Sequence, residues 1–209
     1  MIRNHPMPGT TLVELLMFMG FFALVSGVLI GVLVMSNEQR VRQESMTAVE
    51  QEGVQILQIL SRRVRSAEKI LFPPAGQTGS VLVIQTAVPS YDPTVIAVQT
   101  GALKIAEANE ISTLSSSGIS VSDLMFTNTS VKADIQSAEI KFKISQSVPL
   151  PTGGTYSRKF GTLINLFSDS ELIGNQCGCA PPVCSGGFLG WGYCEEGVCR
   201  DSDGVFSCN

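Results

Sequence analysis

Histidine is nearly missing from these 209 residues, and the single one is His5. Beyond it no Ser/His/Asp or Cys/His catalytic set can form, and no metal can be held through imidazole. Cysteine is absent from the first 176 residues, and C-x-x-C, the spacing of redox sites and zinc knuckles, occurs nowhere. There is no Lys/Arg-rich run, and the formal charge is −4. A nucleic-acid partner is therefore not indicated. Charged residues make up 15% of the chain, against about 25% in ordinary soluble domains. Proline is absent between Pro8 and Pro73, so nothing in that stretch forces a helix to break. No cofactor is implied. An Asp/Glu pair is the chemistry left open, and without a nucleophile motif no enzyme is expected.

The apolar excess has an address. Residues 15–35 are 21 positions without a charge, enough as a helix to cross a hydrocarbon core of about 30 Å at about 1.5 Å per residue. A secretory signal would be cut after its apolar core, but here the run flows into a polar helical pattern. A plain membrane anchor accounts for the run but not for Glu14. Acidic and basic residues cost about 2.5–3.5 kcal/mol at the centre of a spanning helix, less near an end, so such a residue usually has a partner. Thr10 and Glu14 stand one helical turn apart. Gly27 and Gly31 form a G-x-x-x-G, which permits close helix approach, although glycine is common in membrane helices generally.

Gly9 followed by Thr-Thr-Leu-Val-Glu-Leu-Leu resembles the prepilin cleavage and methylation motif of the type IV pilin-like family. The resemblance implies a cut between Gly9 and Thr10 by prepilin peptidase and N-methylation of the new Thr10 amine. It implies that Glu14 pairs with the amine of a neighbouring subunit, and that the leader with Arg3 stays in the cytoplasm. The implied partners are other pilin or pseudopilin subunits, the inner-membrane assembly platform and membrane lipid. The implied location is the cytoplasmic membrane, with the head outside, and then a surface filament or pseudopilus. Major pilins usually carry phenylalanine after the cut, so Thr10 points to a minor pilin or pseudopilin. Between about residues 61 and 166 the order of elements is also similar to minor subunits of the J/W kind. Arg65-Ser66-Ala67 ends the helix, and Pro74-Ala75-Gly76 precedes an apolar strand.

Past Ser36 the sequence is polar with a helical period. Val49, Ile56, Leu57, Leu60, Val64 and Ala67 recur at three- and four-residue steps, and the helix is expected to run to about residue 71, before Pro73 and Pro74. Strands are expected at residues 80–86, 95–99, 102–106, 111–114, 121–127, 139–148 and 156–167. Thr100-Gly101 is expected to turn a hairpin. Ile140, Phe142 and Ile144 alternate with Lys141 and Lys143, the mark of one buried and one solvent face. The fold class is α+β, a long N-terminal helix packed on an antiparallel sheet with a disulfide-rich tail. The expected divisions are a leader (1–9), a membrane or filament-core helix (10–36), its amphipathic half (37–72), a β head (73–170) and the tail (171–209).

The tail holds Cys177, Cys179, Cys184, Cys194, Cys199 and Cys208, all within 33 residues rich in glycine. Such a segment needs staples, and disulfides in an oxidising compartment are expected over a zinc site. Six cysteines allow 15 pairings; only a Cys177–Cys179 bond is disfavoured, by its strained ring. Trp191 and Tyr193 suit either a sticky surface or the tail's own small core, and the core is expected. Asp201-Ser202-Asp203-Gly204 has the opening of a calcium loop without its twelfth-position glutamate, so a turn is expected. The rival to a filament subunit is a membrane-anchored extracytoplasmic binding module, which predicts an uncut N-terminus and indifference to loss of Glu14.

Overall fold

The computed structural model describes residues 11–132, 135–147, 154–166, 179–202 and 206–208. It is α+β. Helix α1 (Leu12–Arg65) is followed by fourteen strands among the described residues. The chain divides into two compact units, Met1–Glu44 and Ser45–Asn209.

In the first unit α1 is exposed along its length. Every large apolar side chain from Leu12 to Met35 is 40% exposed or more. With a mean hydropathy of 2.5 in its most apolar window, the helix is long and apolar enough to cross a membrane.

In the second unit α1 becomes one-faced. Ser45, Val49, Glu52, Gly53, Ile56, Leu60 and Val64 are buried, at the three- and four-residue steps that keep one side of a helix facing a core. The strands meeting that side come from two antiparallel sheets. The five-stranded sheet has the order β1 (Ala67–Phe72), β3 (Leu82–Thr86), β4 (Thr94–Gln99), β5 (Ala102–Glu107), β6 (Glu110–Thr113). The four-stranded sheet has the order β2 (Thr78–Gly79), β7 (Ile119–Asn128), β8 (Ser137–Ser147), β9 (Thr155–Asn165). The β4–β5 hairpin turns at Thr100 and Gly101, both at positive φ, as expected for that dipeptide. Leu82, Ile84, Ile96, Leu103 and Ile105 from the first sheet share one core with Val121, Phe126, Ile140, Phe142, Ile144 and Ile164 from the second and with the buried stripe of α1.

Two further strand groupings lie in the tail. β10 (Val183–Ser185), β11 (Phe188–Gly190) and β14 (Phe206–Ser207) form one small sheet, and β12 (Gly192–Glu195) pairs with β13 (Val198–Asp201). A second core joins this tail to the head. Leu189, Trp191 and Phe206 pack on Val81, Val83, Val95, Ala97 and Ala106, the opposite face of the five-stranded sheet. That is why β3 and β4 read as unbroken apolar runs: alternate residues serve two different cores. The tail is thus the cover of the head's second face, not a separate body with a core of its own.

Two expectations are corrected. The helix ends at Arg65 rather than near residue 71 or 72, and 67–72 is strand β1, antiparallel to β3. Val64, Ala67 and Ile70 are buried at three-residue steps, which continue the helical period, and pairing with β3 in an irregular register decides in favour of extension. The single expected sheet is two, because β6 ends one meander and β7 begins another.

One contact fixes how closely α1 lies on the four-stranded sheet. The ring of Phe160 occupies the place a Cβ on Gly53 would take, and Phe160 stacks on Phe142 with centroids 5.5 Å apart. Alanine at 53 would gain about 1 kcal/mol of helix propensity but would overpack the interface, which costs about 1–3 kcal/mol. Gly53→Ala is therefore expected to lower the Tm despite the better helix former. A Phe160→Ala change in the same chain should remove most of that penalty, so the double-mutant coupling in thermal melts checks the contact.

Candidate functional site

The N-terminal turn of α1 carries the first candidate. Thr11 stands at the helix entrance. Its carbonyl accepts from the amides of Glu14 at 3.0 Å and Leu15 at 3.2 Å. Its Oγ1 accepts more weakly from the Glu14 amide, at 3.4 Å. This is half of a T-x-x-E capping box, a signal the sequence carried. The reciprocal bond from Glu14 is not made, and among the described residues the Glu14 carboxylate has no ion pair or hydrogen bond. Its place in the first turn suits the helix dipole, which favours an anion there. Gly9 and Thr10 lie outside the described residues.

Beyond Glu14 the apolar surface dominates the energetics. Burying one large apolar side chain is worth about 1.5–3 kcal/mol. Two such residues therefore offset the cost of about 3 kcal/mol for a carboxylate in a membrane helix. Between Leu12 and Met35 many more are available. The carboxylate does not keep this helix out of an apolar environment. A counter-charge there would lower the cost of its burial.

The tail is the second candidate region. Cys179 bonds Cys199 and Cys184 bonds Cys208, across separations of 20 and 24 residues. The two loops interleave, so neither can open without the other constraining it. Cys194 stands opposite Cys199 in the β12–β13 register but is not its partner; it too is disulfide-bonded. Cys177 lies outside the described residues, as do Asp203 and Gly204 of the presumed turn. Gly192 lies against the Cys179–Cys199 bridge, where a Cβ would come within 2.9 Å of both the Cys179 Cβ and the Cys199 Sγ. Only glycine fits there.

Trp191 is 3% exposed, stacks on Phe206 at 5.7 Å, and donates from its indole nitrogen to the Ala108 carbonyl at 3.1 Å. It is a core residue, as expected, but its core is shared with the head sheet. Tyr193 is half-buried.

Sequence reasoning missed two polar clamps on α1. Glu52 is 9% exposed; its carboxylate accepts from the Ser116 amide and the Ser116 hydroxyl, each at 2.7 Å. Near the helix end Arg63 pairs with Glu107 at 2.6 Å and lies 5.7 Å above the Tyr91 ring. Next to Tyr91 is Asp92, which is buried and accepts from the Thr86 amide at 3.1 Å. Burial raises its carboxyl above the ordinary aspartate value; the Thr86 bond opposes this, and the charge of Glu68 adds to it. Among the described residues no group of three acidic, cysteine or histidine side chains is placed to hold a metal. Both clamps join elements far apart in sequence, which no local pattern discloses.

No protein-family model, curated protein or solved structure matches the chain.

Because Trp191 is the sole tryptophan, its fluorescence reports whether the tail is seated on the sheet. Each disulfide closes a loop whose constraint is worth about 3 kcal/mol. Reduction under native conditions is expected to shift the emission to the red and expose the tail to protease. An unchanged spectrum after complete reduction would mean that packing alone holds the tail.

Proposed function

We propose that the chain is a structural minor subunit of the type IV pilin-like family, a minor pilin or pseudopilin. It is made as a prepilin, cut after Gly9, methylated at Thr10, and drawn from the membrane into a type IV pilus or a type II secretion pseudopilus. The observation that carries this reading is Glu14. It is five residues after Gly9, in the first turn of an exposed apolar helix, and among the described residues its carboxylate is unpartnered. A plain anchor accounts for its place in the first turn through the helix dipole but supplies no counter-charge for it. In a packed bundle of identical or related helices, the methylated amine of a neighbour supplies the missing charge.

The other supports are architectural. The same helix is exposed and apolar at its start and one-faced from Ser45, where it is the core of an α+β head. The disulfide-bonded tail suits an oxidising compartment, hence a head outside the cytoplasm. Thr10 in place of phenylalanine and the stapled tail favour a priming, tip or adhesive position over that of the bulk filament subunit.

Glu14→Ala separates assembly from anchoring. Expressed with its own assembly system, the variant is expected to insert in the membrane at the normal level and to melt at the normal temperature. Its amount in sheared filaments or pseudopili should fall by more than about tenfold, the equivalent of about 1.4 kcal/mol of docking energy. Undiminished incorporation would overturn the proposed role of Glu14.

A further inference from the structure

Unmatched positive charge collects on the outer face of the four-stranded sheet. Ile140, Phe142 and Ile144 point into the core, so Glu139, Lys141, Lys143 and Ser145 of β8 point away from it. The register then sets Lys143 directly opposite Lys159 of β9, with Ser122 of β7 on its other side. The next row is all serine: Ser120, Ser145 and Ser157. Lys141 is satisfied by Glu139 at 2.8 Å. Among the described residues the Lys143 and Lys159 ammoniums have no carboxylate partner and no hydrogen bond. Exposed Asp123, in the β7 bulge beside Ser122, pairs with neither. Like charges directly opposed across a strand pair destabilise the sheet, so this pair works against the fold unless an anion lies between the two ammoniums.

The rest of the face says which kind of anion. Phe126, Phe142, Tyr156 and Phe160 all belong to the helix-side core, so among the described residues this face offers no ring on which a nucleic-acid base could stack. Its large apolar residues, Met125 and Leu163, flank Lys141 and Glu139 and do not form the buried centre that a folded protein partner needs. What remains is ammonium and hydroxyl, spread over three adjacent strands.

We propose that this face is a docking surface for an acidic polysaccharide. Lys143 and Lys159 grip a carboxylate or sulfate between them, and Ser120, Ser122, Ser145 and Ser157 meet the sugar hydroxyls. The inference rests on the sheet alone and stands whether or not the chain enters a filament.

The test uses the full chain reconstituted in phosphatidylcholine nanodiscs, with heparin and polygalacturonate as probes and an oligonucleotide and phosphatidylglycerol vesicles as competitors for the assignment. Binding to at least one glycan is expected at low salt and should be lost at high salt, as charge screening requires. The Lys143→Gln/Lys159→Gln double variant should bind about tenfold more weakly. Lys132→Gln, an exposed lysine outside this face, should bind normally. Lys159→Glu should raise the Tm of the free protein, since it turns a repulsive cross-strand pair into an attractive one, and should abolish glycan binding. The proposal is overturned if neither glycan binds at low salt, if the double variant binds as the parent does, or if the oligonucleotide or the vesicles are held more tightly than both glycans.

Discussion

The second unit depends on one strip of helix surface. From Val49 to Val64 a single face of α1 meets strands from both large sheets, and this strip is what makes the two meanders share a core. Take Gly53 as the measure of that dependence. Its missing side chain lets Phe160 lie directly on the helix backbone, and Phe160 in turn seats Phe142 at the centre of β8. Glu52, one residue earlier, reaches the β6–β7 connection through Ser116, so the carboxylate ties the helix to the passage between the sheets. Apolar area supplies the energy of this joint. The polar bonds and the glycine fix its geometry.

The same helix carries two incompatible solvent preferences, and the boundary between them is also the boundary between the units. Up to Met35 it is apolar on every side; from Ser45 it is apolar on one. A helix apolar all round needs a covering that the chain itself does not provide, whether lipid or other helices. The Glu14 carboxylate adds a preference: a covering that brings a positive charge to the first turn offsets its burial. Lipid alone meets the first requirement. A neighbouring subunit with a free, methylated amine meets both, and this is why the proposed function turns on one residue.

Much of the head was legible in the sequence because its signals are local. The alternation of Ile140, Phe142 and Ile144 with lysines gave β8 its faces, Thr100-Gly101 marked the β4–β5 hairpin, and seven strands fell close to their expected places. Strand β1 was illegible because Ala67 and Ile70 continue the three-residue step of the helix, and only the irregular pairing with β3 makes them strand. The docking of the tail could have been suspected. Residues 81–84 and 95–97 are apolar without alternation, which means both faces of those strands are covered, and the helix can cover only one. The Glu52–Ser116 and Arg63–Glu107 clamps span 64 and 44 residues respectively, and no pattern along the chain could pair them. The lysine pair on β8 and β9 became visible only with the register, since Lys143 and Lys159 are unremarkable apart.

The central claim is that the N-terminus is processed to present an amine for Glu14. Intact-mass and N-terminal peptide spectrometry of the protein extracted from membranes containing prepilin peptidase tests it directly. The account predicts a chain that begins at Thr10 and carries one additional methyl group on its α-amine. A chain that retains residues 1–9, with an unmodified Thr10 inside it, would contradict the account and leave a single-pass anchored head.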